Sequence, residues 1–248
     1  MTLTAGTLIG ILAFCGSRQD DKTFQPAIKK FREEYYKVGA KDDDKIQAVN
    51  YLGQYRHERI VAELAPLLTE ASPPVRAMTA RLLSQFTSVE TAPAVLLGGL
   101  KSQANAGKKQ MAVRIEILRA LGALRYKPAG TEVAKLVDDR DVWVAKAAID
   151  ACGRIRVQES IDPLLKALRR IEGSAGDLEV LPLEDVLEGV SRGALLKPDP
   201  AQKRPTERDV LKQPILSALS SVTKQSFPSS REWDVWWSKN KASFRVAD

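Results

Sequence analysis

Apolar residues recur along this chain at helical spacing, and the pattern itself repeats. Four segments superpose without gaps: residues 44–53 (DKIQAVNYLG), 75–84 (VRAMTARLLS), 113–122 (VRIEILRALG) and 144–153 (VAKAAIDACG). Starting at 44, 75, 113 and 144, they are spaced by 31, 38 and 31 residues, and the polar insert Ser102 to Lys108 accounts for the longer interval. Apolar side chains fall at i, i+4 and i+8, as in Val113, Ile117 and Leu121, which gathers them on one stripe of a helix. A second stripe follows. Eleven residues after Gly53, Ser84, Gly122 and Gly153 stand Leu64, Val95, Val133 and Leu164, and fifteen after stand Leu68, Gly99, Val137 and Leu168. Each unit therefore predicts a helical hairpin. Gly53, Gly122 and Gly153 stand where a left-handed residue would end the first helix, and short connections then force antiparallel packing. No single hairpin can bury its stripes alone, so the units must stack.

The flanks carry their own periodicity. Ile28, Phe31, Tyr35 and Val38 predict an N-terminal capping helix with Pro26 in its first position. Residues 173–206 are rich in Pro, Gly and charge, which predicts an insertion mobile at both ends, with one amphipathic helix carrying Leu183, Val186, Leu187 and Val190. Pro214 to Thr223 restarts a helix. Ser229-x-x-Glu232 is a capping-box pattern opening a last helix, in which Trp233, Trp236 and Trp237 are placed to seal the array against Leu216 and Leu219. Four sections result: a leader and short polar segment over 1–22, a cap helix with four repeats over 23–172, the insertion over 173–206, and terminal helices over 207–248.

The V-R-x-x-A-A-x-A-L-G pattern, followed by a helix with paired leucines, resembles the short bacterial HEAT repeat from about Asp44 to Ile171. The ending is similar to that of exported bacterial HEAT-repeat proteins of unknown function: a leucine helix, a turn, then W-x-x-W-W. In that turn, Val222 to Phe227, Lys224 stands where the family pattern has Gly. The resemblance implies an all-α, right-handed solenoid of stacked antiparallel hairpins with N- and C-terminal capping helices. It implies a non-catalytic scaffold presenting a concave helical surface to a protein or peptide. Two other functions accompany such repeats: nucleic-acid binding, as in the HEAT-like alkylpurine DNA glycosylases, and the chemistry of the phycobilin lyases.

Composition narrows these readings. Aromatic residues make up 6% and apolar residues 44% of the 248 residues, a balance that favours helices over strands. The net charge of +7 suits an acidic partner or nucleic acid. Lys101, Lys108, Lys109, Arg114, Arg119, Arg125 and Lys127 face only Glu116 within their stretch, yet at 100° per residue Arg114 and Arg119 diverge, and Glu116 pairs with Arg119 at i+3. This is a solvated surface and no phosphate track, so nucleic acid is not the expected partner. The lone His57 falls in a turn, and neither Cys15 nor Cys152 has metal-ligand neighbours or a bridge partner. Asp42 to Asp44 and Asp138, Asp139 and Asp141 read as carboxylates at helix N-termini. Hence no catalytic residue, metal or cofactor is expected. The first sixteen residues carry no charge, and Leu8 to Cys15 has the length of a secretory apolar core, which predicts export to the periplasm or cell envelope. Membrane association would require lipidation at Cys15.

The candidate site comes from comparing repeats at one register position. Thirteen residues after each Gly or Ser stand Pro66, Leu97, Lys135 and Lys166. Two lysines place this position in water, so Leu97 is an exposed apolar residue within Thr91 to Leu100, which carries no charge. We therefore expect a binding face with an apolar centre at Leu97 and a basic extension through Lys135, Lys166 and Arg169. An acidic, partly hydrophobic protein or peptide suits it, bound by a monomer.

Overall fold

The computed structural model describes residues 18–192 and 204–246. The apolar leader, Cys15 and residues 193–203 of the insertion lie outside the described residues. In chain order the α-helices are α1 (Arg18–Tyr35), α2 (Asp42–Leu52), α3 (Glu58–Leu64), α4 (Pro73–Leu83), α5 (Thr91–Lys101) and α6 (Met111–Ala123), followed by α7 (Gly130–Ala134), α8 (Val142–Ile155), α9 (Ile161–Glu172), α10 (Leu183–Arg192), α11 (Glu207–Thr223) and α12 (Ser230–Asn240). A single antiparallel bridge, Glu179 with Thr206, is the only extended pairing among the described residues.

Helices α1, α2, α4, α6, α8 and α11 form one row, each packed on the next. The four predicted first helices are α2, α4, α6 and α8. The second helices α5, α7 and α9 lie against the first helix of the following unit, so every hairpin shares its core with a neighbour. The two stripes meet there: Leu52, Leu83, Leu121 and Cys152 from the first helices and Leu64, Val133 and Leu164 from the second are all buried.

Local chemistry starts these helices. Asp141 accepts from the N–H groups of Trp143 and Val144 at 3.0 and 3.2 Å to cap α8, and Asp44 accepts from the Lys41 N–H at 3.0 Å beside α2. Ser72 caps α4 and Thr206 caps α11. His57 caps α3, its Nδ1 accepting from the Arg59 N–H at 3.2 Å.

Several helix ends differ from expectation. Pro26 is inside α1 and does not begin it, and Val38 is 99% exposed beyond its end, while Ile28, Phe31 and Tyr35 are buried as the periodicity requires. Helix α11 likewise begins at Glu207, seven residues before Pro214, because Thr206 and Asp209 supply a capping box. The glycines do not end helices in the left-handed conformation. Gly53 is right-handed, and Gly122 and Gly153 lie inside α6 and α8. The non-glycine left-handed residues among the described residues are Arg125 and Arg156, three positions after Gly122 and Gly153, and Lys224 after α11.

Packing explains those glycines. A Cβ on Gly122 would lie 3.0 Å from the Ala151 Cα, and one on Gly153 would lie 3.1 Å from the Ala218 Cα. Small residues therefore set the close spacing of α6, α8 and α11.

The insertion is anchored at both of its ends. The Trp143 indole donates to the Leu181 carbonyl at 3.0 Å, Val180 N–H donates to the Pro205 carbonyl at 2.9 Å, and the Arg208 guanidinium holds the Ile171 and Gly173 carbonyls at 3.0 Å. Leu183, Val186 and Leu187 of α10 pack on the core.

Candidate protein interface

Helix α5 places Leu97. Ala92, Leu96 and Gly99 turn into the core at helical spacing, and a Cβ on Gly99 would stand 2.9 Å from Leu68 Cδ1, so α5 sits tight on the preceding repeat. Val95, Leu97 and Leu100 are half-buried while Ala94 and Gly98 are exposed. Leu97 is thus half-buried, with one side packed on the core, where sequence expected full exposure.

The three cations stand on the second helices or at their ends, and each is paired with a carboxylate. Lys135 ends the short α7, where its ammonium donates to Glu132 at 2.9 Å and holds that carboxyl below the usual range. Lys166 on α9 donates to Asp138 at 3.0 Å, and the Arg170 guanidinium forms an ion pair with the other oxygen of the same carboxylate at 2.9 Å. Arg169 lies 3.3 Å from Asp234 on α12. Lys135 and Lys166 adjoin one region, because Lys135 and Asp138 line the same cleft, and Arg169 is directed away toward the C-terminal cap. The basic extension is therefore a row of ion pairs with little bare charge.

Three cations of the larger charge run behave the same way. Arg119 and Arg81 share Glu116, each at 3.0 Å, so the i+3 pair forms as expected. Arg114 is bound by Asp139, and Lys101 approaches Glu132 at 3.9 Å. Phosphate recognition needs cations converging on one path, and these are dispersed among local acids.

Reactive groups are held quiet. Burial pushes the Cys152 thiol up to about 12, which removes its thiolate at neutral pH. His57 stacks on Phe24 with ring centroids 4.6 Å apart while it caps α3. Among the described residues no three His, Cys, Asp or Glu side chains cluster as metal ligands, and no helix is long and apolar enough to cross a membrane.

Two buried polar residues had no signal in the sequence. Arg76, 4% exposed, donates to the Ala104 carbonyl at 2.6 Å and to Gln110 at 2.5 Å. Asn105, 1% exposed, donates to the carbonyls of Leu68 and Gly99, both at 2.9 Å. Together they fasten the insert after α5 to the two repeats beside it. An isolated Arg in a first helix and an Asn in a polar loop look like solvent-facing residues until the tertiary structure encloses them.

Such a stack of hairpins, with its polar groups engaged in capping and pairing, defines an α-solenoid. Residues 106–173 match the family model of HEAT repeats, the segment from the insert through α9. The helices on either side continue the same packed row, so the described residues form an all-α solenoid that carries HEAT repeats over residues 106–173. HEAT repeats generally serve as scaffolds for protein interaction. No curated protein matches the chain.

Proposed function

We propose that the protein is a non-catalytic scaffold that binds a protein or peptide on the face formed by α3, α5, α7 and α9. One observation carries this reading: α5 has no charged side chain before Lys101, yet presents half-buried Val95, Leu97 and Leu100 beside exposed Ala94 and Gly98. An uncharged helix face bordered by ion pairs has the apolar centre and polar rim of a protein interface. A nucleic-acid groove would show the opposite arrangement.

Leu97→Glu tests it. Leu97 is partly accessible, so the variant should keep its fold and thermal midpoint while partner capture from the native envelope fraction falls at least tenfold. Undiminished capture by a folded Leu97→Glu protein would sink the proposal.

The apolar leader adds a compartment to this reading, namely export with a mature chain beginning near Gly16. Mass spectrometry of the native protein checks it, and intact Met1 in a soluble cytosolic pool would overturn it.

A further inference from the structure

A cleft of about 550 Å³ opens between the insert after α5 and the loop joining α7 to α8. Leu100, Met111 and Leu136 supply its apolar lining. Seven charged side chains line it too, and they differ in availability. Asp139 is taken by Arg114, Asp141 caps α8, and Asp138 lies between Lys166 and Arg170. Lys135 is held by Glu132. Lys108 and Arg140, both exposed, form no ion pair among the described residues. Committed carboxylates beside two uncommitted cations give the mouth of the cleft a surplus of positive charge.

Asn105 supplies an independent observation. It belongs to the cleft wall, and its two donated bonds to Leu68 and Gly99 fix which way the amide faces. That leaves Oδ1 buried with no donor. A buried acceptor left bare is destabilising, so the wall at Asn105 is held by its two donated bonds and by the packing around it.

We infer that this cleft is a subsite for an acidic, aliphatic peptide segment. An aliphatic side chain packs on Leu100 and Leu136, and a neighbouring Asp or Glu carboxylate meets Arg140 and Lys108 at the mouth. The inference rests on the protein-binding reading of the second-helix face and names the chemistry that the face selects. A phosphate backbone fits poorly, because the surrounding cations Arg114, Lys135, Lys166 and Arg170 already hold carboxylates.

A random dodecapeptide phage library, selected on the full chain, tests this directly. Enriched sequences should place Asp or Glu within three residues of Leu, Ile or Val. Synthetic peptides from that set, followed by fluorescence anisotropy, should lose about tenfold or more in affinity for a Lys108→Glu/Arg140→Glu protein of unchanged thermal midpoint. Should the double reversal disturb folding, Arg140→Gln alone should still weaken binding about threefold. Arg154→Glu, on an exposed position of α8 outside this cleft, should leave affinity intact. Enrichment without acidic residues, equal affinity for the charge-reversed protein, or displacement of the peptide by a dT20 oligonucleotide at equal concentration would each overturn the inference. If Leu97→Glu abolishes binding and the cleft variants do not, the interface stands and the subsite falls; the reverse sinks the Leu97-centred interface and leaves the cleft as the peptide site.

Discussion

Gly98 and Gly122 both stand inside helices, and the same missing Cβ has opposite consequences at the two. At Gly98 an added Cβ meets nothing within 4 Å, so Gly98→Ala should recover helix propensity and stabilise by about 0.5–1 kcal/mol. At Gly122 it lies 3.0 Å from backbone and 3.3 Å from the Ala151 side chain. The same propensity gain is then opposed by overpacking of about 1–3 kcal/mol, and Gly122→Ala should be a net loss. Urea unfolding of the two variants checks both signs. Lys224 offers a third case: at φ 61° it occupies a left-handed cap that glycine adopts without strain. Lys224→Gly should therefore gain about 1 kcal/mol, read in the same titration.

The C-terminal cap α12 binds the array through indoles and carboxylates together. Trp233 is fully buried and donates to the Phe227 carbonyl at 3.0 Å, Trp237 donates to Asp162 at 2.8 Å, and Trp236 is half-buried between Phe227, Trp237 and Phe244. Sequence assigned the three indoles equally to α11; in the structure α12 packs chiefly on α9. Trp233→Ala should thus cost about 3–5 kcal/mol and Trp236→Ala less. The cap should also be labile to acid. Burial alone would raise the Asp162 carboxyl, but the Lys241 ammonium and the Trp237 indole outweigh it and hold the group below its usual range. Glu172 is depressed likewise, burial being offset by the Ser230 and Lys212 donors. A carboxylate with a lowered folded-state pKa contributes stability above its unfolded value, near 4, and loses it as pH falls through the folded value. Tryptophan fluorescence should report loosening of the cap as pH drops below about 4, and Asp162→Asn should weaken that dependence; a flat acid profile in the natural protein would contradict this.

Across the whole molecule, stability passes between neighbours, so the ends matter in proportion to what they cover. Helix α11 packs on α8 through Ala218 against Gly153, Arg170 reaches Glu207, and Glu172 accepts from the Ser230 N–H at 2.9 Å. A chain ending at residue 172 should consequently expose the face of α8 and α9, bind a hydrophobic dye such as ANS, and melt well below the full chain. Equal melting temperatures would show that the terminal hairpin is a separate unit.

Period and phase determined much of this protein from sequence alone. Stripes at i, i+4 and i+8 specify which face of each helix is apolar, and a repeat near 31 residues specifies stacked hairpins, because neither depends on distant contacts. Asp141 and Ser229 mark helix starts for the same reason, since a cap acts within three residues. Tertiary structure decided what depends on neighbours. Gly122 and Gly153 read as helix stops by local chemistry and serve as contact points, because Ala151 and Ala218 arrive from the next repeat. Pro26 and Pro214 sit inside helices whose packing and caps outweigh one missing N–H. Lys135, Lys166 and Arg169 look like free cations in one dimension, and acquire acids from their own turn or from the loop and helix folded beside them. The cleft beside Asn105 exists only where the insert meets the α7–α8 loop, about 30 residues away in sequence, and no periodicity encodes that meeting.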